Sequence, residues 1–193
     1  LIHHEDEHCV IPKVVYITHP TENGGVYTKA ELEALSECCK KHDLTFYMDG
    51  ARLGTAMTWP TNDLTIKDIA NLVDAFYIGG TKQGALFGEA VVIPDPNFID
   101  SFRSLIKQRG GLLAKGRLLG IQFDVLFTDD LYFKLSQHAI DLAKKIKKGF
   151  EDKGYDFMCE SATNQQFPIL SYEQIERLKG EFSFDDYGPA DEN

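Results

Sequence analysis

The chain is 193 residues long, 43% apolar and 26% charged, with a formal net charge of -10. That size and balance suit one substantial globular domain, or one domain and part of another. They exclude a nucleic-acid footprint, which needs clustered Lys and Arg, and no apolar run approaches a membrane span.

In chain order, Leu1 to His8 carries three histidines and three acids. His3 and His4 are adjacent rather than spaced to share a helix face, and no second ligand cluster follows. A solvated loop is expected there, not a metal site. The first residue is not Met, which suggests a fragment or a processed chain. Val14 to Ile17 is a short apolar run of the kind buried on both faces of a sheet. The turn-rich stretch Thr18 to Gly25 follows. Thr28 with Glu31 forms a capping-box pattern, opening a helix whose buried stripe is Leu32, Leu35 and Cys39. Leu44 to Met48 is the next strand, ending at Asp49-Gly50. Strand, helix and strand together predict a βαβ unit with parallel strands.

Arg52 to Ala56 reads as a short helical turn, broken at Trp59-Pro60. Leu64 to Asp74 is a further helix and Ala75 to Ile78 a third strand. Gly79 to Gly84 is a tight loop. Ala90 to Ile93 is a fourth strand, antiparallel or at an edge because its connection is short. A helix is predicted from Asp95-Pro96 to Gln108, another from Leu113 to Phe127, and a stop at Thr128-Asp129 with Asp130 as N-cap. Leu131, Leu135, Ala139, Leu142, Ile146 and Phe150 predict the buried stripe of the next helix, ended by Gly154. Lys144, Lys145, Lys147 and Lys148 form its wet face. Tyr155 to Met158 and Gln166 to Leu170 read as short strands, Tyr172 to Lys179 as a helix, and Phe182 to Phe184 as the start of a strand. Cys9, Cys38, Cys39 and Cys159 make no Cys-x-x-Cys pair, so neither a disulfide framework nor a zinc ribbon is signalled. The start shows no signal-peptide pattern, and a reducing cytoplasmic setting is the expectation.

Two strands thus end in a charged residue beside glycine: Asp49, with Arg52 close behind, and Lys82. In open α/β sheets ligands bind at the carboxyl ends of strands, so both would face one crevice. Taken singly, Lys82 reads as a surface lysine on a glycine turn and Asp49-Gly50 as a turn with a local Arg52 ion pair. Taken together, an amine for an aldehyde and a carboxylate for a ring nitrogen are what pyridoxal phosphate needs. A desolvated lysine would also be the more nucleophilic one.

Tyr47-Met48-Asp49-Gly50-Ala51-Arg52-Leu53 and Gly80-Thr81-Lys82-Gln83-Gly84 resemble the low-specificity threonine aldolases. These belong to the β-eliminating lyase group of fold type I pyridoxal-phosphate enzymes. The resemblance continues through Leu86 to Ala90, Ile106 to Gly110 and Thr163 to Pro168, nearly the whole chain. It implies an α/β fold, with a mainly parallel sheet between helices over residues 1–120. Residues 121–193 would be a long connecting helix and the start of a small α+β domain. It implies that Lys82 takes the cofactor's aldehyde, that Asp49 bonds the pyridine nitrogen, and that Arg52 lies near the ring's phenolic oxygen. Thr81, Thr18 and His19 would sit near the cofactor. Lys115 or Arg117 falls where relatives bind the substrate carboxylate, although a solvent-facing cation is the plainer reading of either.

The implied reaction cleaves a β-hydroxy-α-amino acid to glycine and an aldehyde. Other fold type I chemistry (β-elimination, cysteine desulfurase-like chemistry or transamination) and a non-catalytic fragment stay open beside it. The implied partners are an amino-acid substrate and a homodimer or homotetramer, with no nucleic acid and no membrane. The glycine-rich phosphate cup, a ring-stacking group and a further small-domain arginine expected of such enzymes are not in this chain, so low activity of the chain alone is expected.

Overall fold

The computed structural model describes residues 8, 10–185, 187 and 188. The metal-site question at His3, His4, Glu5, Asp6 and Glu7 lies outside them. Four strands form one sheet in the order β1 (Val14–Thr18), β2 (Thr45–Asp49), β3 (Ala75–Ile78), β4 (Ala90–Val92). β1, β2 and β3 run parallel, and Thr18 stands opposite Asp49. β4 adds antiparallel to β3, as its short connection requires. The crossover helices are α1 (Lys29–Lys41) and, after the short α2 (Leu53–Thr58), α3 (Ile66–Leu72).

Local chemistry starts these helices. Thr28 Oγ accepts from the Glu31 N–H, and the Glu31 carboxylate accepts from the Thr28 N–H. The same reciprocal pair recurs at Thr65 and Asp68 before α3, and at Ser171 and Gln174 before α7 (Tyr172–Leu178). One sheet face carries Phe46, Met48, Phe76 and Ile78, all buried in a cluster with Leu32 and Cys39 of α1, Ile69 of α3 and Leu53 of α2. The expectation that β1 is buried on both faces fails: Val14 is 55% and Tyr16 58% exposed. β1 is the edge of the described sheet, and its alternate side chains stand on the face opposite the core.

The later helices differ from the sequence reading in bounds and in facing. α4 (Phe102–Gln108) begins after Ser101 rather than at Asp95. The Asp95 carboxylate instead accepts from the Asn97 N–H at 2.8 Å, closing a turn before a helix can form. α5 (Arg117–Phe127) likewise starts past the turn between Leu113 and Gly116. Asp130 precedes α6 (Leu131–Glu151), but at φ 58° its side chain caps nothing.

The buried face of α6 is Tyr132, Ser136, Ile140 and Ala143, not the apolar stripe one residue away. In that stripe Leu135, Leu142 and Ile146 are 39%, 45% and 58% exposed. α6 packs on α2, and Tyr132 belongs to the same core cluster as Phe46. Of the two strands expected after Gly154, one antiparallel bridge remains, between Phe157 and Pro168. Residues 182–184 form no strand. Among the described residues no helix is long and apolar enough to cross a membrane.

The facing of α6 is testable by urea unfolding. Ile140, fully buried, should cost about 2–5 kcal/mol on replacement by Ala. Ile146→Ala should stay within about 0.5 kcal/mol of the parent chain. The reverse order would restore the stripe read from sequence.

Candidate active site

The parallel strands deliver Thr18, Asp49 and the Gly79–Lys82 turn to one edge of the sheet. The exits are tied by backbone bonds: the His19 N–H donates to the Asp49 carbonyl at 2.8 Å, and the Gly79 N–H to the Gly50 carbonyl at 2.9 Å. Both glycines are demanded by close approach. A Cβ on Gly50 would lie 2.1 Å from the Tyr77 carbonyl oxygen, and one on Gly79 would lie 2.1 Å from that of Ala51.

The Asp49 carboxylate is held by neutral donors. Its Oδ2 accepts from the Tyr16 hydroxyl at 2.5 Å and its Oδ1 from the Ala51 N–H at 2.9 Å. Partial burial pushes its pKa up. Hydrogen bonds from Tyr16, Tyr77 and Ala51, with the charge on Lys82, more than offset that, and the net pKa lies below the usual carboxylate value. The acid and the amine therefore share one electrostatic environment, as their strand-end positions predict.

Lys82 itself is exposed, so it is not the desolvated amine that enhanced nucleophilicity would favour. Its loop is nonetheless pinned on both sides. The Glu89 carboxylate accepts from the Gly80 N–H at 2.5 Å and from the Thr81 hydroxyl at 3.2 Å. Gln83 turns inward to 6% exposure, and its amide donates to the Lys82 carbonyl at 3.0 Å. Its Oε1 accepts from the Ser136 hydroxyl of α6. The Tyr132 hydroxyl accepts from the Gly54 N–H at 3.2 Å and donates to the Gly79 carbonyl at 3.1 Å. None of Glu89, Gln83, Tyr132, Ser136, Tyr16 or Tyr77 was singled out from sequence. Apart from Glu89, which reaches back eight and nine residues, each acts through a partner distant in the chain, which no local pattern reports.

The remaining candidates divide. Thr18 lies beside Asp49 in the sheet register. Arg52 caps α2 positionally and makes no ion pair with Asp49 among the described residues; its charge falls on the Tyr187 phenol instead. Lys115 and Arg117 are exposed at the start of α5, and no ion pair of theirs occurs among the described residues. His19 is 1% exposed. Its Nδ1 accepts from the Tyr27 N–H at 3.4 Å, so the proton sits on Nε2, a buried nitrogen with no hydrogen-bond partner among the described residues. Behind it, the loop at Gly24 receives the carboxyl-terminal segment: Ala162 N–H donates to the Gly24 carbonyl at 2.8 Å, and Ser161 fills the space a Cβ on Gly24 would need. Among the described residues no three His, Cys, Asp or Glu side chains are grouped to hold a metal ion.

With this geometry in place, comparison with known proteins is direct. The family model described as beta-eliminating lyase matches residues 1–172. The chain is 32% identical over 176 residues to the low specificity L-threonine aldolase of Pseudomonas aeruginosa, covering 91% of this chain and 51% of that protein. It is 30% identical over 168 residues to the low-specificity L-threonine aldolase of Candida albicans, covering 85% and 40%. It thus spans about half the length of the curated relatives it matches. The solved structure of Leishmania major threonine aldolase matches with a TM-score of 0.92 at 49% identity, over 97% of this chain and 55% of that one. A Thermus thermophilus aspartate aminotransferase shares the fold alone, with a TM-score of 0.59 at 16% identity over 75% of this chain and 39% of its own.

Burial lowers the His19 pKa from 6.5 to about 4. Between those values the unfolded chain binds a proton that the folded chain refuses, so stability falls as pH drops through that window. Denaturation at pH 7.5 and 4.5 should show the parent chain losing about 2–3 kcal/mol more than His19→Asn does. Equal losses would show that His19 titrates normally.

Proposed function

The chain belongs to the beta-eliminating lyase family and has the α/β fold of fold type I pyridoxal-phosphate enzymes. From that premise we propose that Asp49 and Lys82 serve pyridoxal-phosphate-dependent cleavage of threonine-like β-hydroxy-α-amino acids to glycine and an aldehyde. The observation that carries this reading is the ionised Asp49 carboxylate within electrostatic reach of the Lys82 amine, at the exits of adjacent parallel strands.

The residues fit the cofactor. A carboxylate kept charged by neutral hydroxyl and amide donors suits a protonated pyridine nitrogen, because no cation of the described residues stands at hydrogen-bond distance from it. Lys82 presents a primary amine on an exposed turn, open to an aldehyde. Bound there, pyridoxal phosphate supplies a carbonyl for the substrate's amino group and a ring that accepts the electron pair of the breaking Cα–Cβ bond.

The protein's own part is placement. Asp49 would hold a proton on the ring nitrogen. Lys82 would hold the cofactor's aldehyde through its amine. Glu89 and Gln83 fix the backbone on either side of Lys82. Thr18, Thr81 and His19 complete the rim in this reading, with Arg52 near the ring's phenolic oxygen and Lys115 or Arg117 towards the substrate carboxylate. The aldolase names of the Pseudomonas, Candida and Leishmania relatives support the choice of reaction. The homodimer or homotetramer belongs to the same proposal. It is supported by the apolar side chains Leu118, Ile121 and Val125, each more than half exposed on α5.

Supplied with pyridoxal phosphate, the chain should develop a yellow absorbance band and release glycine and acetaldehyde from threonine. Lys82→Ala should lose the band and at least about a thousandfold in rate. 2-Oxobutyrate and ammonia in place of glycine and acetaldehyde would assign a β-elimination instead. Absence of the band would overturn the cofactor reading.

A further inference from the structure

The face of the sheet opposite the core carries a row of three tyrosines, one from each parallel strand. Tyr16 stands opposite Tyr47 in the β1–β2 register, and their rings stack at 5.5 Å with 20° between planes. Tyr77 follows in β3, its ring 6.5 Å from that of Tyr47. Asp49 is two residues beyond Tyr47, so its side chain rises from the same face. The Tyr16 hydroxyl donates to it at 2.5 Å, and Tyr77, on the other flanking strand, helps to lower its pKa.

We propose that Tyr16 and Tyr77 are positioning residues that clamp the Asp49 carboxylate and fix the oxygen it presents to the ring nitrogen of pyridoxal phosphate. The inference rests on the cofactor reading above and concerns how that reading is made geometrically specific.

Three features argue for a clamp rather than incidental contacts. First, Tyr16 and Tyr77 stand on the two strands flanking Asp49, β1 and β3, and the Ala51 N–H donates to Oδ1. Rotation about the carboxylate bond would break the Tyr16 and Ala51 bonds together. Secondly, stacking on Tyr47 restricts the Tyr16 ring, so its hydroxyl is delivered to Oδ2 by a surface already formed. Thirdly, the donors are neutral. A carboxylate offers about four acceptor positions, so these bonds leave room for a further donor, and they leave its charge intact for a pyridinium. An arginine or lysine in their place would compete with the ring for that charge.

The titratable groups facing Asp49 are Tyr16 from β1, Tyr47 in β2, Tyr77 from β3 and Lys82 from the loop beyond it. Hydrogen bonding to Asp49 raises the Tyr16 phenol to about 12, and burial together with Asp49 raises that of Tyr77. Both therefore remain donors across the working pH range.

The test measures dissociation constants of the chain for pyridoxal phosphate and for its deaza analogue, in which C–H replaces the ring nitrogen. Tyr16→Phe and Tyr77→Phe keep the stacked rings and remove only the hydroxyls. Each should weaken pyridoxal phosphate about tenfold, the scale of a hydrogen bond to a charged group. Each should leave the deaza analogue unchanged, because that ring makes no bond to Asp49. Unchanged pyridoxal phosphate binding in both variants would overturn the clamp alone. Equal weakening of both ligands would overturn it too, marking the tyrosines as merely structural. Failure of the parent chain to bind pyridoxal phosphate would overturn the clamp together with the cofactor reading.

Discussion

Everything at the candidate site depends on how closely the backbones leaving β2 and β3 approach one another. The Gly79 N–H meets the Gly50 carbonyl at 2.9 Å, and neither residue has room for a Cβ. A side chain at either position would force the two exits apart. Asp49 precedes one exit and Lys82 follows the other, so their relation is set by main chain before any side chain is chosen. This ties acid–amine proximity to sheet formation itself, since the bond continues the parallel pairing of the strands.

That contact is buttressed from α6, a helix far along the chain. Tyr132 bridges Gly54 and Gly79, and Ser136 engages Gln83, in a buried group where each polar atom finds a partner. Unpartnered, these groups would cost more than an apolar core, so satisfaction is a condition of folding rather than an ornament. Gly54 has a matching role. A Cβ there would fall 2.2 Å from both Gln83 Oε1 and Ser136 Oγ. The Gly79–Lys82 turn is thus exposed at Lys82 and anchored one residue later, which leaves the amine accessible on a fixed backbone.

Much of the fold was legible because its signals are local. The Thr28–Glu31 pair, the apolar runs at Thr45–Asp49 and Ala75–Ile78, and the short link to β4 each declare themselves within a few residues. The charged strand ends gave Asp49 and Lys82 for the same reason. What failed was facing. On α6 the apolar stripe suggested one face, yet the buried face includes Tyr132 and Ser136, made buriable by partners 53 residues away. Likewise Tyr16 reads as an ordinary strand residue; only the sheet register reveals that its hydroxyl meets Asp49. Arg52 shows the opposite error, since its spacing suggests an ion pair that the turn at α2 does not make.

In the proposed function Lys82 is the amine that meets an aldehyde beside Asp49. Borohydride reduction of the chain with bound pyridoxal phosphate, followed by peptide mapping, tests this by making the attachment permanent. The expected result is a single pyridoxyl group on the peptide bearing Lys82, none on Lys115, and loss of the label when free pyridoxal phosphate is removed from Lys82→Ala before reduction. Label on another lysine, or label spread across surface amines, would contradict it.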